Sequence, residues 1–323
     1  MKRPKVLLTE PITKDVQDFL EHFSDLKIGK RGHFITQEAV AEVIPEFDYL
    51  LCMLTTPVQK KVLEAGKKLK LVANFAVGYN NIDLKSATDL GILVCNTPDV
   101  LTEATADTTL ALVLGVTRRV TEADKDLRNG LFDGWHPTSY LGLDFRNKQF
   151  GILGMGRIGK AVARRAKAFG FSIHYHNRSR LTEQVEKEFG AIYHHNADEL
   201  VQISDVLSIH CPLTNDNHQY LNRERIHQMK KGSYIINTAR GPIVDEEAIA
   251  DALIEGHLAG AGFDVFEKEP TVHPKLLKAP NTLLLPHIGS ATAETRSAIG
   301  MLAANAIYLH FKDQANSIPN RLN

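Results

Sequence analysis

The chain has 323 residues, longer than one domain usually runs, so two domains are expected. Hydrophobic residues make up 43% and charged residues 24%, as in ordinary globular proteins. Lys plus Arg and Asp plus Glu both total 38, and this balance gives no overall bias towards nucleic acid or membrane partners. The longest apolar stretch, Leu110 to Val116, falls far short of the ~20 residues that span a bilayer.

The N-terminal segment and the cysteines indicate a protein of the reducing cytoplasm. The opening MKRPKVLLTEPI is too briefly apolar for a signal peptide and predicts a first strand. Cys52, Cys95 and Cys211 form no C-x-x-C pair and lie in or beside apolar strands. Buried free thiols are therefore the favoured interpretation, ahead of metal binding or catalysis.

The first hundred residues alternate between strand and helix patterns. Strands are predicted at Lys5–Thr9, Tyr49–Met53, Leu69–Phe75 and Gly91–Cys95. Helices are predicted from Ile12 to Phe23, over Val58–Ala65 and over Ile82–Leu90. This βαβαβαβ order predicts a parallel sheet with helices on its faces. A long helix from about Thr102 to Arg119 is then expected to cross into the second domain.

The second half repeats the alternation with more strands. These are predicted at Phe150–Leu153, Ser172–His176, Ala191–Tyr193, Val206–His210, Tyr234–Asn237, Ala259–Phe263 and Thr282–Leu285. Helices are predicted after Arg157 and near Thr182–Phe189, Ala197–Ile203, Arg223–Met229 and Asp245–Gly256. The pattern predicts a six- or seven-stranded doubly wound sheet. The last segment, Ala293 to Phe311, is predicted to be one long amphipathic helix. The fold class is therefore α/β, with two doubly wound parallel-sheet domains.

A glycine motif lies between the strand Phe150–Leu153 and the helix that follows it. Gly154, Gly156 and Gly159 have the spacing G-x-G-x-x-G. These positions would permit a tight turn, the approach of backbone amides to a pyrophosphate, and close helix–strand packing, respectively. The helix N-terminus would add free N–H groups for the phosphates. Three glycines alone are equally consistent with a structural turn, but the flanking strand and helix favour dinucleotide binding.

Three strands of the second half end in side chains that suit catalysis. They are followed by Thr238-Ala239-Arg240-Gly241, by Asp264-Val265-Phe266-Glu267-Lys268-Glu269-Pro270 and by Pro286-His287-Ile288-Gly289-Ser290. Ligands bind beyond the carboxyl ends of strands in open α/β sheets. Arg240, Glu269 and His287 are therefore expected on the edge that carries the glycine motif. Taken singly, they could instead be a surface cation, a solvated carboxylate and a core imidazole.

The turn after the second strand of this half lacks the acid that would bond the ribose 2′-hydroxyl of NAD. It reads His176-Asn177-Arg178-Ser179-Arg180. The missing carboxylate removes repulsion from a 2′-phosphate, and two Arg plus Ser179 offer hydrogen-bond donors. NADP(H) is therefore favoured, with NAD(H) possible at lower affinity. The alternative is an exposed basic turn with no cofactor role.

Several stretches in fixed order resemble the D-isomer-specific 2-hydroxyacid dehydrogenases. They are VGYNNID, TPDVLTEATADTTLAL, GILGMGRIGKAVARRAKAFG, HCPLT, INTARGPIVDEEA, AGFDVFEKEP and LPHIGSAT. The resemblance covers nearly the whole chain and, within the family, is greatest to the glyoxylate/hydroxypyruvate reductases. It implies a flavodoxin-like substrate domain from residues 1–100 plus 290–323. It also implies an NAD(P)-binding Rossmann domain from residues 101–289.

The resemblance further implies that Arg240, Glu269 and His287 reduce a small 2-oxo acid. In this interpretation His287 supplies a proton, Glu269 fixes its ring, and Arg240 holds the carboxylate and the polarised carbonyl oxygen. Substrate contacts are expected at Leu54, Val77, Gly78 and Trp135. Cofactor contacts are expected at Thr105, Gly154, Gly156, Arg157, Ile158, Gly159, Asn177, Arg178, Ser179, Arg180, Pro212, Thr238, Ala239, Asp264, Gly289 and Ser290. No metal is expected, since the histidines at 174, 176, 194 and 195 lack a further ligand at zinc-like spacing.

The predicted reaction is the NADPH-dependent reduction of glyoxylate or hydroxypyruvate to the D-2-hydroxy acid. The alternatives are a reductase of 2-ketogluconate or another sugar-derived oxo acid, and a dinucleotide-sensing binding protein of the same fold. The loop Leu131–Leu141 contains the chain's only Trp and follows an apolar helix, which predicts a homodimer. The resemblance implies that Trp135 reaches the neighbouring subunit's site; the alternative is that it covers its own domain.

Overall fold

The computed structural model describes residues 2–323, which divide into two compact units. Unit 1 comprises residues 2–101 and 290–323, and unit 2 comprises Thr102–Gly289. Over residues 2–323 no helix is both long enough and apolar enough to cross a membrane.

Unit 1 is a five-stranded parallel sheet with helices between its strands. Its elements are β1 (Lys5–Leu8), α1 (Lys14–Phe23), β2 (Asp25–Ile28), α2 (Gln37–Val43), β3 (Tyr49–Cys52), α3 (Lys60–Ala65), β4 (Leu71–Asn74), α4 (Leu84–Asp89) and β5 (Leu93–Cys95). The strand order β2-β1-β3-β4-β5 is the flavodoxin-like order. Because β3 and β4 are buried along their whole length, their continuous apolar runs made them predictable.

Two elements of unit 1, β2 and α2, are missing from the sequence prediction. β2 is an edge strand whose residues alternate between exposed and half-buried, so it has no apolar run. α2 has seven residues and buries only Val40; its N-cap is Thr36, whose hydroxyl accepts the Ala39 amide. Both elements bury too little apolar surface for hydrophobic periodicity to reveal them.

Unit 2 contains a seven-stranded parallel sheet. Its elements are α5 (Thr102–Thr117), α6 (Val120–Arg128), β6 (Gln149–Leu153), α7 (Arg157–Ala168), β7 (Ser172–His176), α8 (Glu183–Phe189), β8 (Ile192–Tyr193), α9 (Ala197–Ile203), β9 (Val206–Ile209), α10 (Arg223–Gln228), β10 (Ser233–Asn237), α11 (Glu246–Ile254), β11 (Leu258–Phe263), α12 (Pro274–Lys278) and β12 (Thr282–Leu284). The order β12-β11-β10-β9-β6-β7-β8 is the doubly wound Rossmann arrangement with a seventh strand. The predicted α/β class with two parallel-sheet units is confirmed.

The crossing helix α5 is shorter than predicted. It ends at Thr117, because Arg119 adopts a left-handed conformation with φ of +53° and is the N-cap of α6. The Arg119 side chain bonds both carboxylate oxygens of Glu122 at 2.7 and 2.6 Å. The short helix α12, which begins at Pro274, was not predicted; its five residues are fewer than two helical turns.

The C-terminal helix α13 (Ala293–Phe311) has the predicted bounds but not the predicted amphipathic character. From Ile299 to Phe311 only Asn305 is exposed. The helix packs against α1, β3 and β4 of unit 1. A Cβ at Gly300 would lie 2.8 Å from Val16 Cγ2, so glycine lets α13 approach α1 closely. The helix is therefore enclosed on nearly all sides over its second half, and the expectation of a polar face is wrong there.

The cysteines are free thiols, as predicted. Cys52 and Cys95 are fully buried, and burial raises the pKa of each to about 12. Cys211 is only partly buried by comparison, although burial still raises its pKa to about 11. All three thiols are therefore protonated and unreactive near neutral pH.

Candidate active site

The glycine motif forms the turn between β6 and α7. Gly154 has a φ of +100°, which residues with side chains rarely adopt. A Cβ at Gly159 would lie 2.5 Å from the Gly154 carbonyl oxygen, so only glycine lets α7 begin against the turn. The space beside Gly156 is open to 4 Å, and no side chain caps α7. This open backbone, followed by Arg157 and Ile158 in the first helical turn, fits a dinucleotide pyrophosphate.

The turn after β7 lies beside the glycine turn. Asn177 Oδ1 accepts the Met155 amide at 2.6 Å, which ties the two turns together. Arg178 and Ser179 are exposed. Arg178 forms no ion pair or hydrogen bond with any of residues 2–323. The guanidinium of Arg178 is therefore available to a ligand phosphate.

Arg180, which was also expected to contact the cofactor, is anchored within its own unit. Its Nε and Nη2 donate to the two carboxylate oxygens of Glu186 at 2.9 and 2.8 Å. The Tyr175 hydroxyl donates to Glu186 as well, at 2.7 Å. These hydrogen bonds, of which that from Arg180 has the larger effect and that from Tyr175 the smaller, hold the pKa of Glu186 at about 2. The sequence predicts that both arginines contact the 2′-phosphate of the cofactor, whereas in the structure Arg180 pairs with the buried carboxylate of Glu186.

Glu269 and His287 are in direct contact beyond the ends of β11 and β12. His287 Nδ1 lies 2.8 Å from Glu269 Oε2, and Glu269 Oε1 accepts the Phe266 amide at 3.1 Å. Burial alone would raise the pKa of Glu269, but its contact with His287, the Phe266 amide and the charge of Arg240 hold it below its ordinary value. An ionised carboxylate can only accept, so Nδ1 carries the shared proton and Nε2 is left for a substrate.

Arg240 follows β10, the strand next to β11. Asn237 shapes this turn, since its side chain donates to the Arg240 carbonyl at 2.9 Å and accepts the Ala239 amide at 3.0 Å. Burial lowers the pKa of Arg240, while the charge of Glu269 opposes this shift. A guanidinium stays charged even so. A desolvated cation of this kind attracts an anion more strongly than a surface arginine does.

Asp264 holds the loop that carries His287. Its side chain is 1% exposed, and it accepts the amides of Ile288 and Gly289 at 2.6 and 2.7 Å. His287 itself has a φ of +55°, which is uncommon for a residue with a side chain. These two hydrogen bonds therefore fix the backbone immediately after His287, whose own conformation is unfavourable. Sequence reasoning assigned Asp264 to the cofactor and did not foresee this contact.

The other expected cofactor residues of unit 2 lie near the same strand ends. Thr109 links two of them, since its hydroxyl donates to the Thr105 carbonyl and lies 2.9 Å from the Thr238 hydroxyl. A Cβ at Gly289 would lie 3.5 Å from Thr105 Cγ2. Pro212 follows β9 and accepts a hydrogen bond from Asn217 at 2.8 Å. Ser290, by contrast, belongs to unit 1.

In unit 1, the loop after β4 carries Val77 and Gly78. The side-chain amides of two buried asparagines, Asn96 and Asn74, donate to the Val77 and Gly78 carbonyls at 2.8 and 2.7 Å. Within residues 2–323 the Val77 and Gly78 amides have no acceptor. Leu54, in the turn after β3, is half-buried. Sequence reasoning missed both asparagines, although a polar residue at the very end of a buried apolar strand, as at Asn74, or directly after one, as at Asn96, was the available signal.

The loop between α6 and β6 exposes a group of large apolar side chains. Leu131, Phe132 and Leu141 are each more than three-fifths exposed, and Trp135 is 83% exposed. Trp135 therefore packs little against its own chain.

A histidine of β7 contacts the histidine that directly follows β8. His174 Nδ1 lies 2.9 Å from His194 Nε2, and burial lowers the pKa of His174 to about 4. Across residues 2–323, no three His, Cys, Asp or Glu side chains are grouped so that they could hold a metal ion.

The glycine turn and the charged residues at neighbouring strand ends are those of a nicotinamide-dependent dehydrogenase. A family model, the NAD binding domain of D-isomer specific 2-hydroxyacid dehydrogenases, matches residues 110–289. The chain is also 44% identical to a glyoxylate reductase of Thermococcus onnurineus, over 94% of this chain and 91% of the relative. The chain therefore belongs to the D-isomer specific 2-hydroxyacid dehydrogenase family and is an oxidoreductase.

Solved structures agree with this assignment. A glyoxylate reductase from Paecilomyes thermophila is 34% identical with a TM-score of 0.88, covering 100% of this chain and 99% of the other. An NADPH-dependent glyoxylate/hydroxypyruvate reductase from Sinorhizobium meliloti, in complex with NADP and malonate, is 35% identical with a TM-score of 0.85. That alignment covers 96% of this chain and 94% of the other.

Proposed function

We propose that the protein reduces glyoxylate or hydroxypyruvate to the corresponding D-2-hydroxy acid with NADPH. The observation that carries this proposal is the His287–Glu269 contact at 2.8 Å, next to the strand end that bears the half-buried Arg240. The relatives named glyoxylate reductase support the choice of substrate. A sugar-derived 2-oxo acid such as 2-ketogluconate is the alternative substrate.

The residues divide the chemistry between them. When bound, the nicotinamide supplies the hydride. His287 donates the Nε2 proton to the carbonyl oxygen of the substrate, while the ionised Glu269 holds the ring through Nδ1. Arg240 binds the substrate carboxylate and stabilises the charge that develops on the carbonyl oxygen. As the family resemblance implies, the Val77 and Gly78 amides are assigned to the substrate carboxylate, since they have no acceptor within residues 2–323.

The preference for NADPH rests on the turn after β7. No acid in Asn177–Arg180 would repel a 2′-phosphate, and Arg178 forms no ion pair or hydrogen bond within residues 2–323. Ser179 adds a hydroxyl donor beside it. The S. meliloti relative, crystallised with NADP, supports this assignment. NAD(H) would bind without the charge-assisted bond and hence more weakly.

Initial rates test the function directly. We expect the highest kcat/KM with glyoxylate or hydroxypyruvate and NADPH, and lower values with pyruvate, 2-ketogluconate or NADH. A higher kcat/KM for 2-ketogluconate would transfer the assignment to the sugar-acid reductases. Tight NADPH binding without turnover of any of the four acids would instead indicate a dinucleotide-sensing protein.

We further propose a homodimer in which Trp135 completes the partner's substrate pocket. Single Trp135→Ala and His287→Gln variants should each be nearly inactive, because one lacks a pocket wall and the other lacks the proton donor. In a mixed dimer, one site would carry both substitutions and the other would carry neither. Mixing equal amounts should then restore about a quarter of wild-type activity, if subunits exchange at random.

Two measurements make the mixing experiment decisive. Mass spectrometry of the intact assembly verifies that mixed dimers have formed, and mixing each variant with itself supplies the baseline. Verified mixed dimers with no recovered activity would place Trp135 in its own subunit's pocket or outside the site. A monomer in solution would contradict the dimer itself.

A further inference from the structure

Glu246 is a buried carboxylate at the start of α11, outside the residues assigned to catalysis. Its side chain is only 3% exposed. Oε1 accepts the Glu267 amide at 2.5 Å and Oε2 accepts the His273 amide at 3.0 Å. These two amides stand on either side of Glu269, so the one carboxylate binds both ends of the segment that carries it.

Two further contacts hold the same segment. Glu267 Oε1 accepts the Glu246 amide at 3.3 Å, which makes the contact between α11 and the segment reciprocal. A Cβ at Gly241 would lie 1.8 Å from the Phe266 carbonyl carbon, so the turn after Arg240 packs directly on the backbone of this segment. The Arg240 turn and the Glu269 segment are thus packed together next to Glu246.

The chemistry of Glu246 indicates a specific role. Burial raises the pKa of this carboxyl, and the Glu267 and His273 amides oppose the shift. No cation pairs with Glu246 among residues 2–323. Burying a carboxylate costs free energy of desolvation. The hydrogen bonds from the Glu267 and His273 amides offset this cost only while segment 267–273 keeps its backbone path. The site of Glu246 therefore favours one conformation of that segment.

We propose that Glu246 is a positioning residue for the Glu269–His287 pair, an inference that rests on the proposed function. Glu269 contacts the Phe266 amide through one oxygen and His287 through the other. The position of its carboxylate therefore depends on the backbone of its own segment. Proton transfer is sensitive to displacements of ~1 Å. A segment freed at both ends would let the Glu269 carboxylate shift and would therefore weaken its contact with His287.

The test compares Glu246→Gln with Glu247→Gln, its neighbour on the same helical turn. Gln keeps the shape of Glu246 but offers only one acceptor oxygen for two amides. Glu247 is exposed and pairs with Lys275 of α12 at 2.6 Å, but it accepts no backbone amide of the segment, so it controls for the loss of charge. Hydrogen exchange, followed by mass spectrometry over residues 266–273, reports the segment without any need for turnover. We expect at least ~10-fold faster exchange in Glu246→Gln and no change in Glu247→Gln.

Kinetics then show whether the positioning matters for catalysis. We expect Glu246→Gln to lower kcat by about 10-fold with little change in the Kd for NADPH, and to move the alkaline limb of the pH profile towards lower pH. Adding Glu246→Gln to Glu269→Gln should lower kcat little further than Glu269→Gln alone does, because Glu246 acts through Glu269. Asp264 and Arg240, the other charged groups near the pair, are unchanged in all of these variants.

Three results would overturn the inference. They are unchanged exchange of residues 266–273, an unchanged pH profile, and additive losses in the double variant, which would indicate general destabilisation. The proposed function fails by a different result, namely a wild-type protein that turns over none of the 2-oxo acids. The exchange measurement still decides in that case whether Glu246 holds the segment.

Discussion

His287→Gln is expected to lower kcat for 2-oxo acid reduction by ~10²–10⁴ while the Kd for NADPH stays near the wild-type value. The glutamine side chain retains a hydrogen-bond donor but cannot give up a proton. Its neighbours should change little, because Asp264 holds the following backbone through the Ile288 and Gly289 amides. Stopped-flow measurement of NADPH oxidation, with nucleotide fluorescence for binding, separates the two effects. A variant that keeps more than a tenth of kcat would assign the proton donor elsewhere.

Glu269→Gln tests the partner of His287 through the pH profile. The pKa of Glu269 lies below its ordinary value, so the carboxylate is charged across the working range and stabilises a protonated neighbour. A proton donor must be protonated, so reduction fails as the pH rises above the point where the donor loses its proton. Removing the negative charge should move that alkaline limb to lower pH. A profile that coincides with the wild type would separate Glu269 from the proton transfer.

Arg178→Ala is expected to weaken NADPH binding by about 10–150-fold, the equivalent of one charge-assisted hydrogen bond of ~1.5–3 kcal/mol. NADH lacks the 2′-phosphate, so its Kd should change by less than about 2-fold. The exposed Arg178 forms no ion pair or hydrogen bond among residues 2–323 that its removal would disturb. Titration of both cofactors by fluorescence gives the ratio of the two losses.

Two other arginines serve as controls for this measurement. Arg146→Ala removes an exposed charge that pairs with Asp144 at 2.6 Å, and it should affect neither cofactor. Arg180→Ala leaves the buried Glu186 without its guanidinium, so its main effect should be a lower melting temperature. The ratio of the Kd values for NADPH and NADH should change little. Equal losses of NADPH and NADH in Arg178→Ala would contradict the assignment of Arg178 to the 2′-phosphate.

The sequence by itself determined the two parallel-sheet units and the location of the catalytic candidates. Strands buried on both faces appear as apolar runs, and the residue after each run lies at the carboxyl edge of the sheet. Arg240, Glu269 and His287 could be placed on one edge for this reason. The glycine turn was predictable too, because Gly154 and Gly159 occupy positions where a Cβ would strain or block the backbone.

Only the tertiary structure decided which polar groups contact one another. Both arginines of the turn after β7 look alike in sequence, yet Arg180 bonds Glu186 and Arg178 remains available to a ligand. Glu246 and Glu247 are adjacent, but one binds the Glu269 segment and the other pairs with Lys275 on the surface. Hydrophobic periodicity reports which face of an element is buried. Hydrogen bonds depend instead on atoms that the fold brings within about 3 Å from distant parts of the chain, and no local pattern encodes that approach.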